Sequence, residues 1–235
     1  MPESIQHLPT EAPPTHEAAA AERTVTQRRR LRVAQGILLL FHVTGFLGLG
    51  FSEDPSFYLQ FVPLNLLLTV GLLLAFQTER SSTFWWFCLV TMAVGFFVEV
   101  VGIRTGLLFG FYQYGPTLGT KWLGVPLMIG VNWLMLVYTT GVLARYLPIP
   151  DFLRAVVATL LMVGLDACLE PVAVRYDFWQ WRFDVIPLQN FKGWFAVSLI
   201  LQVFFNRTSF EKRNVLAPFV FMLQLLFFFG LSLIR

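Results

Sequence analysis

Residues 153–181 read LRAVVATLLMVGLDACLEPVAVRYDFWQW, an apolar segment that leads into a polar and aromatic one. The apolar part, 153–170, is close to the roughly 20 residues that an α-helix needs to cross the hydrocarbon core of a membrane. Asp166 and Glu170 are four residues apart in it, so they share one face of the predicted helix. Carboxylates inside a membrane helix are energetically costly and are therefore candidates for function. This stretch predicts a membrane helix that ends in a functional site.

The composition of the whole chain is also that of a membrane protein. Hydrophobic residues make up 56% and charged residues 13% of the 235 residues, whereas soluble domains carry about 25% charged residues. We predict an all-α fold, a polytopic transmembrane helical bundle of about seven spans. Six spans and one re-entrant segment are the alternative, because polar residues interrupt or adjoin the third, fifth and sixth segments. The predicted spans are 33–51, 57–77, 84–101, 122–144, 153–170, 187–205 and 215–234.

Residues 1–32 differ in composition from the rest of the chain. They are rich in Pro, Ala, Thr and Glu and end in an arginine run, RRRLR at 28–32. We predict a disordered tail at 1–32 and a single transmembrane helical domain at 33–235. Because Arg and Lys are more frequent in the loops on the side of this tail, the positive-inside rule places the N-terminus in the cytoplasm. We predict a multi-pass protein of the cytoplasmic (inner) membrane with no nucleic-acid partner, since the arginine run directly precedes a span.

Three acids of the predicted spans lie toward the non-cytoplasmic side of the membrane. Glu99 is near the end of the third span, and Asp166 and Glu170 are near the end of the fifth. We predict that these acids share one cavity, open at one membrane face, with polar and aromatic residues of the following and neighbouring segments. Those residues are Arg104, Tyr112, Tyr114, Asn132, Trp133, Arg175, Tyr176, Asp177, Trp179, Trp181, Asn190 and Trp194.

A plainer interpretation stands beside this one. Tyr and Trp gather at the interface of any membrane protein, and Arg104 and Arg175 can pair with acids or reach lipid head groups. Decoration of the interface does not explain two carboxylates at positions i and i+4 within a span. The acids therefore favour a functional site more strongly than the aromatic residues do.

Common catalytic motifs are absent from the sequence. It contains no G-x-x-x-x-G-K-[ST], G-x-G-x-x-G, H-E-x-x-H or G-x-S-x-G motif. His42 is the only histidine within the predicted spans, and Cys88 and Cys168 lie in different spans without a metal-binding spacing. We therefore expect neither a metal nor a cofactor, which disfavours redox chemistry.

A carboxylic acid in apolar surroundings suits proton transfer to a carbon–carbon double bond. Such surroundings disfavour the charged form, so the group can carry a proton near neutral pH and act as a Brønsted acid. Protonation of the trisubstituted terminal C=C of a membrane-dissolved polyene gives a tertiary carbocation, which aromatic faces stabilise. A second carboxylate or an Asn can hold the attacking water. These residues are compatible with hydration, and equally with binding of a proton, an ion or a lipid head group.

Four stretches of the sequence resemble the motifs of the CruF-type carotenoid biosynthesis family. They occur in the expected order and together cover residues 95–195. One departure is Asp184 before Val185, where the family usually has Gly. The stretches are EVVGIRTGLLFGFYQYGPTLG (99–119), GVPLMIGVNWLMLVY (124–138), DACLEPVAVRYDFWQW (166–181) and IPLQNFKGW (186–194).

The resemblance implies an integral-membrane carotenoid hydratase that needs no cofactor. Such an enzyme adds water to the terminal C=C of an acyclic carotenoid ψ-end and gives a tertiary alcohol. The implied partners are water, membrane lipid and a carotenoid of the lycopene, γ-carotene or bisanhydrobacterioruberin type.

The same resemblance implies roles for the candidate residues. Asp166 or Glu170 would donate the proton while the other positions water, and Glu99 would be the third acid. The aromatic side chains would line the cation site, the asparagines would orient polar groups, and the arginines would hold the acids or close the mouth of the cavity. These are, in turn, Tyr112, Tyr114, Trp179 and Trp181; Asn132 and Asn190; and Arg104 and Arg175.

Three other functions fit parts of the pattern. A carotenoid end-group cyclase begins with the same protonation but excludes water. A proton-coupled transporter would also bury acids, but the cytoplasmic halves of the predicted spans carry few polar residues, which disfavours it. A pigment-binding protein without turnover would bind a carotenoid even without Asp166 and Glu170.

Overall fold

The computed structural model describes residues 16–234, with side chains from residue 24 onward, and this part of the chain forms an α-helical bundle. Four helical stretches in it are long and apolar enough to cross a membrane, namely Thr24–Phe51, Ser56–Ala75, Ser82–Thr105 and Asp151–Arg175. The predicted all-α membrane bundle is confirmed, whereas the number of crossings stays a prediction. The helices are α1 (His16–Phe51), α2 (Ser56–Leu59), α3 (Val62–Ala75), α4 (Ser82–Thr105), α5 (Met128–Ala144), α6 (Asp151–Arg175), α7 (Leu188–Arg207) and α8 (Ala217–Leu233).

The predicted tail differs from the structure where the two overlap. Residues 1–15 lie outside the described residues. The helix α1 begins at His16, so residues 16–32 are helical rather than disordered. The stretch HEAAAAERTVTQRRR that opens α1 is rich in Ala and Arg, which have high helix propensities. Low hydrophobicity predicted disorder here, but propensity favours a helix that continues into the first apolar segment.

The helices that carry the acids end in different ways. The helix α4 ends at Gly106, whose φ of 67° is a left-handed conformation that glycine adopts without strain. The predicted fifth span stops before Pro171, but α6 continues through this proline to Arg175. Proline removes one backbone hydrogen bond without ending the helix here. Glu99 and Glu170 therefore both lie within the last two turns of a long helix.

Consecutive long helices run in opposite directions, which gives the bundle two ends. The site end holds the connections 106–127 and 176–187, and the opposite end holds the connections 76–81, 145–150 and 208–216. The helix α6 packs against α5, α7 and α8, while α4 packs against α5. The acids of α4 and α6 are thereby brought to the same end of the bundle.

Two short sheets lie at the site end. β1 (Tyr112–Tyr114) pairs antiparallel with β4 (Trp179–Trp181), and β2 (Lys121–Trp122) pairs with β3 (Val125–Pro126). The first sheet joins the connection after α4 to the connection after α6. Its register places Tyr112 opposite Trp181 and Tyr114 opposite Trp179. Because side chains alternate along a strand, these four aromatic side chains share one face of the sheet.

The opposite end contains a buried polar network that the sequence pattern did not predict. Tyr138 donates to Oε1 of Gln77, and Nδ2 of Asn214 donates to the Tyr138 hydroxyl at 2.9 Å and to the carbonyl of Leu73 at 2.8 Å. Nε2 of Gln77 donates to the carbonyl of Glu211 at 2.6 Å. These groups satisfy one another and tie α3, α5 and the loop before α8 together, so this half of the bundle has more polar residues than expected.

Candidate active site

Glu99 lies buried on α4 and accepts three hydrogen bonds. Tyr114 donates its hydroxyl to Oε2 at 2.8 Å, and Tyr112 donates to the same oxygen. Nε1 of Trp133, on α5, donates to Oε1 at 3.1 Å. Only 4% of Glu99 is exposed, so each of its oxygens meets a protein donor in place of water.

Glu170, on α6, has a matching set of three donors. Nε1 of Trp179 and Nε1 of Trp181 donate to Oε2 at 3.1 and 2.9 Å. Nδ2 of Asn190, at the start of α7, donates to Oε1 at 2.8 Å. The two glutamates are therefore held in the same way, each by two aromatic donors from one strand and one donor from the following helix.

Asp166 lies one helical turn before Glu170 on the same face of α6, as their spacing predicts. Nδ2 of Asn190 donates to its Oδ2 at 3.2 Å, so this amide bridges the two carboxyl groups. Asp166 is 1% exposed, and its Oδ1 is buried without a hydrogen-bond partner in the described part of the chain. The site thus contains one carboxyl oxygen that no donor reaches.

The β1–β4 sheet covers the site end and supplies four of the six donors. Tyr112 and Tyr114 reach Glu99 from β1, while Trp179 and Trp181 reach Glu170 from β4. Burial and the neighbouring Glu99 carboxylate raise the pKa of both tyrosines well above its ordinary value, so both are neutral hydroxyl donors. The sheet therefore fixes the side chains of two acids on two different helices.

Trp133 is held by packing as well as by its hydrogen bond. Its ring stacks on Trp194 with centroids 4.4 Å apart and planes 13° from parallel. Gly95, on α4, lies so close that an added Cβ would stand 2.4 Å from the Trp133 side chain. Glycine at this position lets α5 approach α4, which places the indole N–H at Glu99.

Both glutamates face one small cavity, which we call the acid cavity. It offers about 20 Å³ of space to the centre of a water molecule, which is room for about one water. Asp166 does not line it. Asn132, on α5, lines it, and its side chain makes no hydrogen bond within residues 24–234, so its amide is free to bind a ligand. The lining residues are Glu99, Tyr112, Tyr114, Ile129, Asn132, Trp133, Glu170, Trp179, Trp181, Asn190 and Trp194.

Besides Asp166, four residues expected in the site lie outside the acid cavity. Arg104 is exposed at the end of α4, and Arg175 donates to the carbonyls of Leu231 and Ile234, so it holds the end of α8 rather than an acid. The hydroxyl of Tyr176 donates to the carbonyl of Leu49 at 2.6 Å. Asp177 is exposed and accepts a bond from Gln180. These four side chains were expected in the cavity with the acids. In the structure, two of them donate hydrogen bonds to backbone carbonyls and the other two are exposed.

Sequence reasoning missed residues that lie deeper in the bundle. Asn65, His42 and Gln224 line a larger cavity next to the acid cavity, and Nε2 of Gln224 lies 3.0 Å from Nε2 of His42. The feature of the sequence that could have indicated this cavity is the presence of single polar residues within apolar helices. As for metals, no three His, Cys, Asp or Glu side chains are grouped as metal ligands would be in the range that the structure covers. The expectation of no cofactor stays a prediction.

Comparison with known proteins identifies the family. A family model described as carotenoid biosynthesis protein matches residues 61–234, a range that contains every residue of the acid cavity. This chain belongs to that carotenoid biosynthesis family. The resemblance of its motifs to the CruF-type family is thereby confirmed.

The name of one relative of this chain states a reaction. Bisanhydrobacterioruberin hydratase of Haloarcula japonica is 33% identical over 137 residues, which cover 52% of this chain and 46% of the relative. The match therefore spans about half the length of that relative. No solved structure matches this chain.

Proposed function

We propose that this protein is a carotenoid hydratase, which adds water to the terminal C=C of an acyclic ψ-end and forms a tertiary alcohol without a cofactor. One observation carries the proposal: two buried glutamates, each with three donors, face one cavity with room for about one water. The family and the name of its Haloarcula japonica relative support this reaction class. A carotenoid of the lycopene, γ-carotene or bisanhydrobacterioruberin type is the proposed substrate.

In this mechanism Glu170 donates the proton to the alkene. It lines the cavity, and Asn190 links it to Asp166 behind it. Asp166 and Glu170 share one donor, and two carboxylates so close together repel each other when both are ionised. One of the two therefore keeps a proton, which is the proton that the reaction uses. The three N–H donors on Glu170 stabilise the carboxylate that remains after proton transfer, which lowers the barrier. Asp166 acts as a positioning residue because it does not touch the cavity.

The aromatic side chains stabilise the carbocation that protonation creates. Tyr112, Trp179 and Trp181 line the acid cavity, and the ring centroids of Tyr112 and Trp181 are 5.0 Å apart. Ring faces attract a cation, by about 0.5–2 kcal/mol for each contact. Because their N–H and O–H groups are directed at the glutamates, these rings have fixed orientations before the substrate binds.

In this mechanism Asn132 binds the attacking water and Glu99 accepts a proton from it. Asn132 has a free amide at the cavity wall, and Glu99 is the second carboxylate that can take a proton from the attacking water. The alkene π bond, the carboxyl O–H bond of Glu170 and one water O–H bond break, while a C–H bond, a C–O bond and the carboxyl O–H bond of Glu99 form. The proton of Glu170 is then on the product carbon, and Glu99 holds the proton taken from the water. Since both acids face one cavity, a second water can return this proton to Glu170 before the next turnover.

The test is mass spectrometry of pigments from a host that makes lycopene and γ-carotene. The wild-type chain should yield a product heavier by one water, and Glu170→Gln and Glu99→Gln should abolish it. The control is Glu53→Gln, which changes an exposed acid at the same end of the bundle and should leave conversion unchanged. A product of unchanged mass would indicate cyclisation, and full conversion by Glu170→Gln would overturn the assigned mechanism.

A further inference from the structure

Two further cavities lie in a row beside the acid cavity, and each shares wall residues with the next. A central cavity shares Ile129, Asn132 and Trp179 with the acid cavity. An entrance cavity, between α1, α2–α3 and α8, shares Leu49, Val62, Asn65 and Phe227 with the central one. By the measure used above, the central cavity has about 80 Å³ and the entrance cavity about 340 Å³. We call the three spaces together the passage, and their volumes increase with distance from the acids.

The outer end of the passage is apolar and opens where lipid would surround the bundle. Leu40 is 64% exposed, Phe57 55% and Phe61 42%, and all three line the entrance. They belong to helical stretches long and apolar enough to span a membrane. An opening with such a rim between two membrane helices faces hydrocarbon rather than water. It therefore fits a ligand that is dissolved in the membrane.

A ligand that approached the acids from the side of the connections 106–127 and 176–187 would meet the β1–β4 sheet first. The β1–β4 sheet lies over them, and its four aromatic donors are bonded to the two glutamates. A long apolar ligand that arrived from this side would have to break those bonds. It would leave each buried glutamate with one donor in place of three, at a cost of about 1–3 kcal/mol for each lost partner.

We infer that the carotenoid enters sideways from the lipid between α1 and α2–α3, and that its polyene chain lies along the passage while it reacts. This inference rests on the proposed function for the identity of the ligand. The reacting end reaches the junction at Ile129, Asn132 and Trp179, and the unreacted chain fills the central and entrance cavities. Residues of α1, far from the acids in sequence, then select the substrate.

Two glycines of α1 provide a matched test. A Cβ at Gly45 would meet a ring carbon of Phe227 at 3.5 Å, an ordinary contact, and a larger side chain there would fill the entrance. A Cβ at Gly36 would meet nothing within 4 Å. We expect Gly45→Trp to lower kcat/KM for lycopene by about tenfold or more and Gly36→Trp to leave it unchanged. Thr44→Trp, at an exposed entrance position, gives a second block that needs no internal space.

A binding measurement separates this inference from the proposed reaction. In the purified full chain, Thr44→Cys should react with an apolar maleimide, and lycopene should slow that reaction, whereas Leu39→Cys, exposed on α1 but outside the entrance, should be unaffected. Protection of Thr44→Cys without hydration of lycopene would support the passage and overturn the hydratase. Hydration by both tryptophan blocks at the wild-type rate, or no protection by lycopene, would overturn the passage.

Discussion

Asn190 is the residue on which the arrangement of the acids depends most. Its single amide nitrogen donates to Asp166 and to Glu170, and its own side chain is 2% exposed. No other donor reaches Asp166 within residues 24–234. The two carboxyl groups are therefore kept side by side by one neutral group from the neighbouring helix.

Replacement of this amide should be costly. In Asn190→Leu, one oxygen of each carboxyl group loses its donor while it stays buried, and we expect the free energy of unfolding to fall by about 1–3 kcal/mol. Chemical denaturation in detergent measures this change. Lys192→Leu is the control, because it changes an exposed residue of the same helix. Equal stability of the two variants would show that Asn190 does not hold the pair.

The spacing of residues predicted part of this site and could not predict the rest. The interval of four residues places Asp166 and Glu170 on one helix face, and the structure has them there. Glu99 was predicted to share one cavity with both acids, from the side of the membrane at which its span ends; it lines the acid cavity with Glu170 but not with Asp166. The packing of α4 and α6 against α5, which brings the two glutamates together, is not visible in any single helical pattern. Arg104 was expected among the acids because of its charge, yet it is exposed in the last turn of α4. Pairing between helices, not local pattern, decided these outcomes.

At the scale of elements, the same succession of helix, strand and helix occurs twice in the site. A long helix carries a glutamate, a short strand follows with two aromatic donors, and the next helix supplies a third donor. The first set is α4, β1 and α5, and the second is α6, β4 and α7. The sequence did not predict the strands, because YQY and WQW are only three residues long. Their alternating aromatic residues were the signal, since a period of two is typical of a strand.

Gly115 controls the closeness of the two strands. Its N–H donates to the carbonyl of Phe178 at 3.0 Å, and an added Cβ would stand 2.0 Å from the carbonyl oxygen of Asp177. In Gly115→Ala the strands must separate, so donors move away from both glutamates, and we expect conversion to fall by about a hundredfold. Pigment mass spectrometry measures this loss, and far-UV circular dichroism should show the same helix content as in the wild type.

The matched control is Gly71→Ala, where an added Cβ meets nothing within 4 Å. It should convert carotenoid as the wild type does. If Gly115→Ala were as active as this control, the sheet would not be needed to hold the acids.

At the scale of the whole molecule, the charges at the two ends of the bundle predict that these ends face different compartments. The loops at the opposite end and the arginine run at 28–32 predict a cytoplasmic face. The site end, with the acid cavity, would then face away from the cytoplasm. This orientation stays a prediction from charge.

Cysteine labelling of intact cells tests it. Glu53→Cys lies at the site end and Ser209→Cys at the opposite end, and both positions are exposed. A maleimide that does not cross membranes should label Glu53→Cys in intact cells and Ser209→Cys only after lysis. The wild-type chain is the control, since Cys88 is buried and Cys168 is half-buried. The reverse pattern would place the N-terminus outside.

The β1–β4 sheet also has a consequence for how the chain is made. Tyr112 and Tyr114 follow Glu99 by 13 and 15 residues, and Trp179 and Trp181 follow Glu170 by 9 and 11. Each costly carboxylate therefore leaves the ribosome just ahead of its own aromatic donors, so we expect these donors to be available when its helix inserts into the bilayer. The segment of α4 and β1 and the segment of α6 and β4 can each supply donors to their own glutamate before the two segments pack together. The pairing of β1 with β4 would then be a later assembly step, which joins two segments whose helices are already in the membrane.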